Sequence, residues 1–407
     1  MKAEAGMKSI CLMRNRVQNY AWGSTTAIPD LLGEKNPGGT PQAELWMGAH
    51  AKAPSFVNYQ GQWIPLPELI KAYPMDILGE KVTKRFGNRL PYLFKVLAAA
   101  RPLSIQAHPN LKQAQKGFER ENALKIPFSA PNRNYKDANH KPECLCAVTP
   151  FWALCGFRNC MHILALLKKI NLRTLSREVD DFNSQPDSNG LKAFFTALMC
   201  LASPRLETVV TEAREKALAM EKTDPVFEWM VRLAGKYPND IGLLAPILLN
   251  LVQLQPGQAI FIPAGDLHAY LNGAGIELMA NSDNVLRGGL TPKHVDVPEL
   301  LRILNFDSRA VDIQEPEINE HHERIYSGDA SEFVLSAVTL SGDDDYCNSE
   351  LDSVEILLCT AGSATIHAAA EDKPFGFEKG MSVLIPAAVQ DYTIKGNCTF
   401  YKAAVPP

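Results

Sequence analysis

The sequence predicts a mainly β protein with an α-helical insertion, arranged as two small jelly-roll β-barrels plus a helical domain. Three observations carry this. Short apolar runs bounded by Gly, Pro and Asn recur before residue 157 and after residue 252, which is strand-and-turn texture. Between them, over residues 158–251, apolar residues recur at helical spacing instead. One phrase also occurs twice: Gly257 and Ile262-Pro263-Ala264 return as Gly380 and Ile385-Pro386-Ala387 at a constant offset of 123, which marks an internal repeat.

At 407 residues, two or three domains are expected, and 46% hydrophobic with 21% charged residues describes a chain able to bury its cores. A formal charge of −4 supplies no basic field, so nucleic acid is not an expected partner. No run has membrane-spanning length, and the N-terminal Met1-Lys2-Ala3-Glu4-Ala5-Gly6-Met7 carries both charge signs with no long apolar stretch behind it. The nine cysteines are odd in number, scattered and mostly in apolar surroundings such as Leu198-Met199-Cys200-Leu201. Free thiols in a reducing, cytoplasmic setting are expected. A monomer is expected.

The elements follow in order. Val17-Gln18-Asn19-Tyr20-Ala21-Trp22-Gly23 is an aromatic segment ending in a turn, and Glu44-Leu45-Trp46-Met47-Gly48 reads as a strand. Tyr20, Trp22, Trp46 and His50 are either a polar-aromatic pocket or ordinary packing. Residues 66–86 read mostly as helix, and Tyr92-Leu93-Phe94-Lys95-Val96-Leu97 as a strand whose lone lysine must snorkel or pair. In Pro102-Leu103-Ser104-Ile105-Gln106-Ala107-His108-Pro109, period two places Ser104, Gln106 and His108 on one face. Residues 111–124 are helical, and a polar loop then runs through His140-Lys141-Pro142 to Glu143 at the head of the apolar strand Cys144-Leu145-Cys146. The helical stretch extends through 243–251 and looks like scaffold or lid, with His162 a core histidine. Beyond it, Pro256-Gly257 and Pro263-Ala264-Gly265 bracket a short strand, and a hairpin is expected to deliver His268 at the start of the next.

His108, His268 and Glu143 thus form a His₂-carboxylate candidate for a metal ion, with Gln106 an uncertain fourth, since amide oxygen is a rarer zinc ligand. At the repeat offset His268 corresponds to Asp391, and nothing after residue 321 matches the Gln-x-His stretch. Only the first barrel is expected to carry the site. The expected partition is 1–157 and 252–320 for the metal-bearing barrel, 158–251 for the insertion and 321–407 for the metal-free barrel.

Gln106-Ala107-His108-Pro109, His140-Lys141-Pro142-Glu143, Leu267-His268-Ala269-Tyr270 and the run from Glu277 through Asn281-Ser282-Asp283-Asn284-Val285-Leu286-Arg287-Gly288-Gly289-Leu290-Thr291-Pro292-Lys293 resemble type I mannose-6-phosphate isomerases of the cupin superfamily. The resemblance covers about residues 17–298 and is weakest after Asp307. It implies cupin-like barrels, one zinc ion per chain on Gln106, His108, Glu143 and His268, and interconversion of mannose 6-phosphate and fructose 6-phosphate. It also maps the family's active-site arginine to Arg287. Such an isomerisation moves a proton between neighbouring carbons through an enediolate, so a Lewis acid and a cation on the developing charge are needed. Arginine holds its proton, which makes Arg287 a charge stabiliser or an orienting group. For the base, Glu277 stands first and Lys141 second, with His50 and Asp283 also open. For the 6-phosphate, Ser104, Lys95, Lys141, Arg287 and Lys293 are the donors considered. Two other readings use the same residues: a non-haem metal oxygenase on a facial triad, and a non-catalytic sugar- or metal-binding barrel.

Overall fold

The computed structural model describes residues 6–348, 353–369, 371 and 373–407; the first five residues of the charged N-terminal stretch lie outside the described residues. Two large antiparallel sheets and a group of helices build the fold. The first sheet runs Ile313–Gln314, Ala259–Ile262, Glu143–Ala147, His268–Ala280, Tyr92–Ala99, Glu44–Gly48, Arg16–Gln18, with Ile105–Ala107, Leu286–Gly289, Phe151–Phe157 and Leu249–Leu254 branching from it. Its central strands Tyr92–Ala99 and Glu143–Ala147 are buried along their whole length. They read as continuous apolar runs because neither face meets water, and the Lys95 and Glu143 they carry are therefore buried charges that need partners.

The hairpin expected before His268 does not form. Strand Glu143–Ala147 lies between Ala259–Ile262 and His268–Ala280 and pairs with both, so Ile262 and Met279 flank Glu143 from opposite sides. His268 does begin its strand. A turn signal locates a chain reversal, but a strand from elsewhere took the partner's place.

The second sheet runs Glu323–Tyr326, Val334–Leu340, Tyr392–Ala404, Glu355–Ala368, Ser382–Ile385, Cys11–Arg14, Phe56–Tyr59, Gln62–Pro65. Its last three strands come from the beginning of the chain. The sequence repeat is also a structural one: Ala259–Ile262 matches Ser382–Ile385 at the offset of 123. The neighbouring strands continue the match in space, with Glu143–Ala147, His268–Ala280, Tyr92–Ala99 and Glu44–Gly48 answered by Glu355–Ala368, Tyr392–Ala404, Val334–Leu340 and Glu323–Tyr326. Gly257 and Gly380 hold φ of 89° and 86°, a left-handed turn conformation that favours glycine and explains its recurrence.

Helices Cys160–Ile170, Ser176–Ser184, Ser188–Met199, Arg205–Met220 and Pro225–Ala234 form the insertion. Pro225–Ala234 shows the local logic: Asp224 caps Val226 N–H, proline stands in the first turn, and Val226, Phe227, Trp229, Met230 and Leu233 are buried. A fully buried side chain of that size contributes about 1.5–3 kcal/mol. The helical reading of 243–251 is corrected, since helix Ala245–Leu248 is followed by strand Leu249–Leu254 against Phe151–Phe157. His162, expected in the core, is exposed on the outer face of its helix. All nine cysteines are free; Cys200, for all its apolar neighbours, is exposed, as is Cys347.

Candidate active site

The Ile105–Ala107 strand is the hinge of the site. Gln106 lies across from His268 on one side and from Arg287 on the other. Three stretches far apart in sequence are thereby brought to one place by backbone register. Glu143 enters from the adjacent strand, its side chain on the same face of the sheet as Met279 and Glu277.

His108, Glu143 and His268 offer ligand atoms within 4.8 Å of one another, and all three residues are buried. Glu143 Oε1 is 3.2 Å from His108 Nε2 and 3.1 Å from Lys141 Nζ, and its Oε2 is 3.4 Å from His268 Nε2. Tyr270 donates to Oε2 at 3.2 Å. Each imidazole is oriented from behind: His108 Nδ1 meets Asn284 O at 2.7 Å and His268 Nδ1 meets Asp266 O at 3.1 Å. That arrangement turns both Nε2 atoms inward. Burial, with Lys141 nearby, drives the His108 imidazole down to about 4 in spite of Glu143, so it is neutral and its lone pair free. Against the upward push of burial, Lys141 and His108 hold the Glu143 carboxylate well below its usual range.

His108 Nε2 is buried with no aligned hydrogen-bond partner. An orphaned buried nitrogen facing a carboxylate and a second imidazole is what a divalent metal site leaves when only protein atoms are considered. Gln106 donates its Nε2 to Ser104 Oγ at 3.3 Å, which leaves the amide oxygen for a different partner. The donor set fits zinc.

Above this floor opens a cleft of about 470 Å³. Trp22, His50, Lys95, Ser104, Gln106, Lys141, Asp283, Arg287 and Lys293 all line it, and so do Tyr20 and Trp46, so the polar-aromatic pocket forms. Glu277 is placed differently. At 2% exposure it lies behind the lining and bonds Lys95 Nζ at 2.7 Å. Burial alone would lower Lys95, but Glu277, and Glu44 at 4.0 Å, raise it above its ordinary value and keep it an ammonium. Glu277 itself is pushed up by burial and drawn back by Lys95, with a net rise. Elsewhere in the lining His50 is 3.4 Å and Lys52 2.8 Å from Asp283, and against burial they hold that carboxylate well below its usual range.

The cations divide into two kinds. Lys95 and Lys141 are committed to carboxylates. Arg287 and Lys293 have no carboxylate partner among the described residues, and Lys293 is lowered by burial and by Arg287 close to it. Lys136, which also lines the cleft and bonds Phe128 O, is likewise without a carboxylate partner among the described residues, and Arg287 and Lys293 form an edge of uncompensated positive charge.

Two contributors were missed in the sequence. Glu44 is a lone acid in an apolar strand, the same signal that drew attention to Lys95. Asn284, 0% exposed, accepts from Lys136 N at 2.7 Å and Asp137 N at 3.2 Å and donates to Asp137 O at 2.9 Å and Asn139 O at 2.8 Å. Its side chain clamps the loop that delivers Lys141 and Glu143, while its carbonyl orients His108. No local pattern announces such a hub.

The family models for "Phosphomannose isomerase type I, catalytic domain" and "Phosphomannose isomerase type I, helical insertion domain" match residues 10–160 and 167–249. The chain is 41% identical over 388 residues to mannose-6-phosphate isomerase of Escherichia coli strain K12, covering 94% of this chain and 96% of that one. The human enzyme of the same name is 34% identical over 413 residues, 93% of each chain. A crystal structure of mannose 6-phosphate isomerase from Salmonella typhimurium bound to fructose 6-phosphate and zinc superposes with a TM-score of 0.91 at 36% identity, covering 98% of this chain and all of that one. A zinc-bound holo structure of the same enzyme activity aligns with a TM-score of 0.90 at 36% identity, again over 98% and 100%.

Proposed function

Because the chain belongs to the type I phosphomannose isomerase family, we propose that it interconverts mannose 6-phosphate and fructose 6-phosphate with one zinc ion on His108, Glu143, His268 and Gln106. The observation that carries the reading is the buried His108, Glu143 and His268 cluster beneath a cleft with a free positive edge, in a chain similar to isomerases over almost its whole length. Zinc, when bound, supplies a redox-silent Lewis acid that polarises the substrate oxygens next to the migrating proton.

The chain's own residues do the rest. Arg287, in register with Gln106, lies at the metal end of the cleft and stabilises the negative charge of the enediolate. Lys293 extends that edge and takes the 6-phosphate, with Ser104 as a neutral donor. Lys141 is the proton carrier on the ground that it lines the cleft, whereas Glu277 is shielded behind Lys95. Glu277 and Glu44 act through Lys95, holding a fixed ammonium toward the sugar. Trp22, Trp46 and His50 shape the wall and keep water from the enediolate.

The oxygenase and non-catalytic readings are set aside, since the relatives are named isomerases. Nine free cysteines support a reducing compartment and hence a cytoplasmic enzyme. We take it to act as a monomer, which light scattering checks. The decisive experiment is a coupled isomerase assay on the zinc-reconstituted chain. Turnover of mannose 6-phosphate that disappears with a chelator and returns with zinc is expected; no turnover in the reconstituted protein overturns the proposal.

A further inference from the structure

The interior of the second sheet holds a charged cluster that the isomerase reading does not use. Its residues correspond to the catalytic floor through strand register. Ile262 lies opposite Glu143, and its repeat partner Ile385 lies opposite Glu355. Two residues further along those strands, Leu145 faces Glu277 while Leu357 faces Lys402. Glu277 faces Lys95, and Lys402 faces Ser336. One strand on, Glu44 and Glu323 stand opposite Leu97 and Val338, each two residues past the Lys95 or Ser336 position. Glu355 therefore occupies the place of the ligand Glu143, Glu323 that of Glu44, and Lys402 that of Glu277.

All three are buried, at 3%, 7% and 8% exposure. Lys402 Nζ is 2.7 Å from Glu323 Oε1, 3.8 Å from Glu355 Oε1, and donates to Tyr346 Oη at 2.6 Å. Glu355 also accepts from Asn348 Nδ2 at 3.0 Å and from Tyr392 Oη. No donor is aligned on Glu323 Oε1, so the ammonium meets it as a point charge rather than through a directed hydrogen bond. Around the cluster the interior is apolar, with Val338, Leu357, Val383 and Phe400 fully buried. Charges buried in such surroundings are expensive, and an apolar replacement is often as stable or better, so stability alone does not account for the cluster.

We propose that the second sheet contains a cation site built on the same strand positions as the catalytic one, and that the Lys402 ammonium is its resident cation. The first sheet supplies two imidazoles and takes a metal. The second has no histidine in Tyr392–Ala404, the strand that answers His268–Ala280, and no Gln-x-His strand, and it supplies its cation from its own chain. The atoms it can offer a cation are oxygens, from two carboxylates and two phenols, while Asn348 holds Glu355 through its amide N–H. With Lys402 removed it becomes a site for a hard divalent ion such as Mn²⁺ or Ca²⁺ rather than for zinc.

The test uses the full-length, zinc-loaded protein and Mn²⁺ as probe, followed by electron paramagnetic resonance and thermal unfolding. The parent is expected to bind no Mn²⁺ in the second sheet. Lys402→Ala is expected to gain one Mn²⁺ per chain and to unfold roughly 5–10 °C earlier without it, recovering when Mn²⁺ is added. Isomerase turnover stays at the parent level, so a failed cation site and a failed isomerase assignment give different results. Should Lys402→Ala not fold, the charge-free Lys402→Met/Glu323→Gln/Glu355→Gln variant decides: it is expected to fold and to ignore Mn²⁺. Lys402→Ala that is as stable as the parent, or that folds without binding Mn²⁺, overturns the proposal, and so does a charge-free variant that also fails to fold.

Discussion

Replacing Asn284 by alanine isolates a residue that touches neither substrate nor metal yet determines where three site residues stand. The side chain removed is fully buried and makes four bonds to the backbone of residues 136–139. Each net bond contributes about 1 kcal/mol, and buried partners left unpaired add to the loss, so a total near 3–4 kcal/mol is expected. The loop so released runs directly into Lys141 and Glu143, and the chain bearing Asn284 O, which orients His108, loses its anchor. Removing the groups that orient metal ligands typically weakens binding about 10–100-fold. Urea unfolding of metal-free protein measures the first quantity, and zinc competition with a chelator the second. A variant less than about 1 kcal/mol destabilised, with parent zinc affinity, would refute the assignment of Asn284 as the clamp. Asn284→Asp keeps the acceptor and loses two donors, and should fall between the two.

Three further outcomes are expected. Glu143→Gln keeps shape but removes the charge shared by His108, His268 and Lys141, so zinc content measured by atomic absorption and turnover should vanish together; full zinc occupancy would take Glu143 out of the ligand set. Lys141→Ala should lower kcat by on the order of 10²–10⁴ with a small change in KM, while Glu277→Gln lowers it less; the reverse ranking returns the proton transfer to Glu277. The metal-free protein should lose stability as pH falls from about 6.5 to about 4, because there the unfolded chain protonates His108 and the folded one does not, at a cost of up to ~3 kcal/mol. Chemical unfolding across that window should show the slope in the parent and a flatter profile in His108→Asn.

The ligand types were legible in the sequence because each stands in a short polar interruption of an apolar run, and such interruptions are costly unless used. Lys95 in its strand, Glu143 at a strand head and His268 at another are of this kind. The helical insertion was legible from period alone, except at its end. There Leu243 to Leu254 is mostly apolar, broken by Asn250 and Gln253, and such a run does not distinguish buried helix from buried strand. The repeat was visible only in its turn phrase, where glycine at positive φ and proline constrain the letters used. The polar cluster of the second sheet carries no shared phrase, because Lys402 and Glu277 have opposite charge at corresponding places.

By itself, then, the sequence determined the classes of element, the repeat and the set of chemically able residues. These follow from local rules: backbone preference, burial period and the cost of an isolated charge. Only the tertiary structure decided which of those residues meet. Inserting strand Glu143–Ala147 between the two strands expected to pair brings Glu143 to His268. Lys95 screens Glu277 from the cleft, and Arg287 and Lys293 are among the cleft cations left without a carboxylate among the described residues. Pairing between strands more than a hundred residues apart depends on which faces bury together across the whole chain, and that is a property of the assembled sheets rather than of any one stretch.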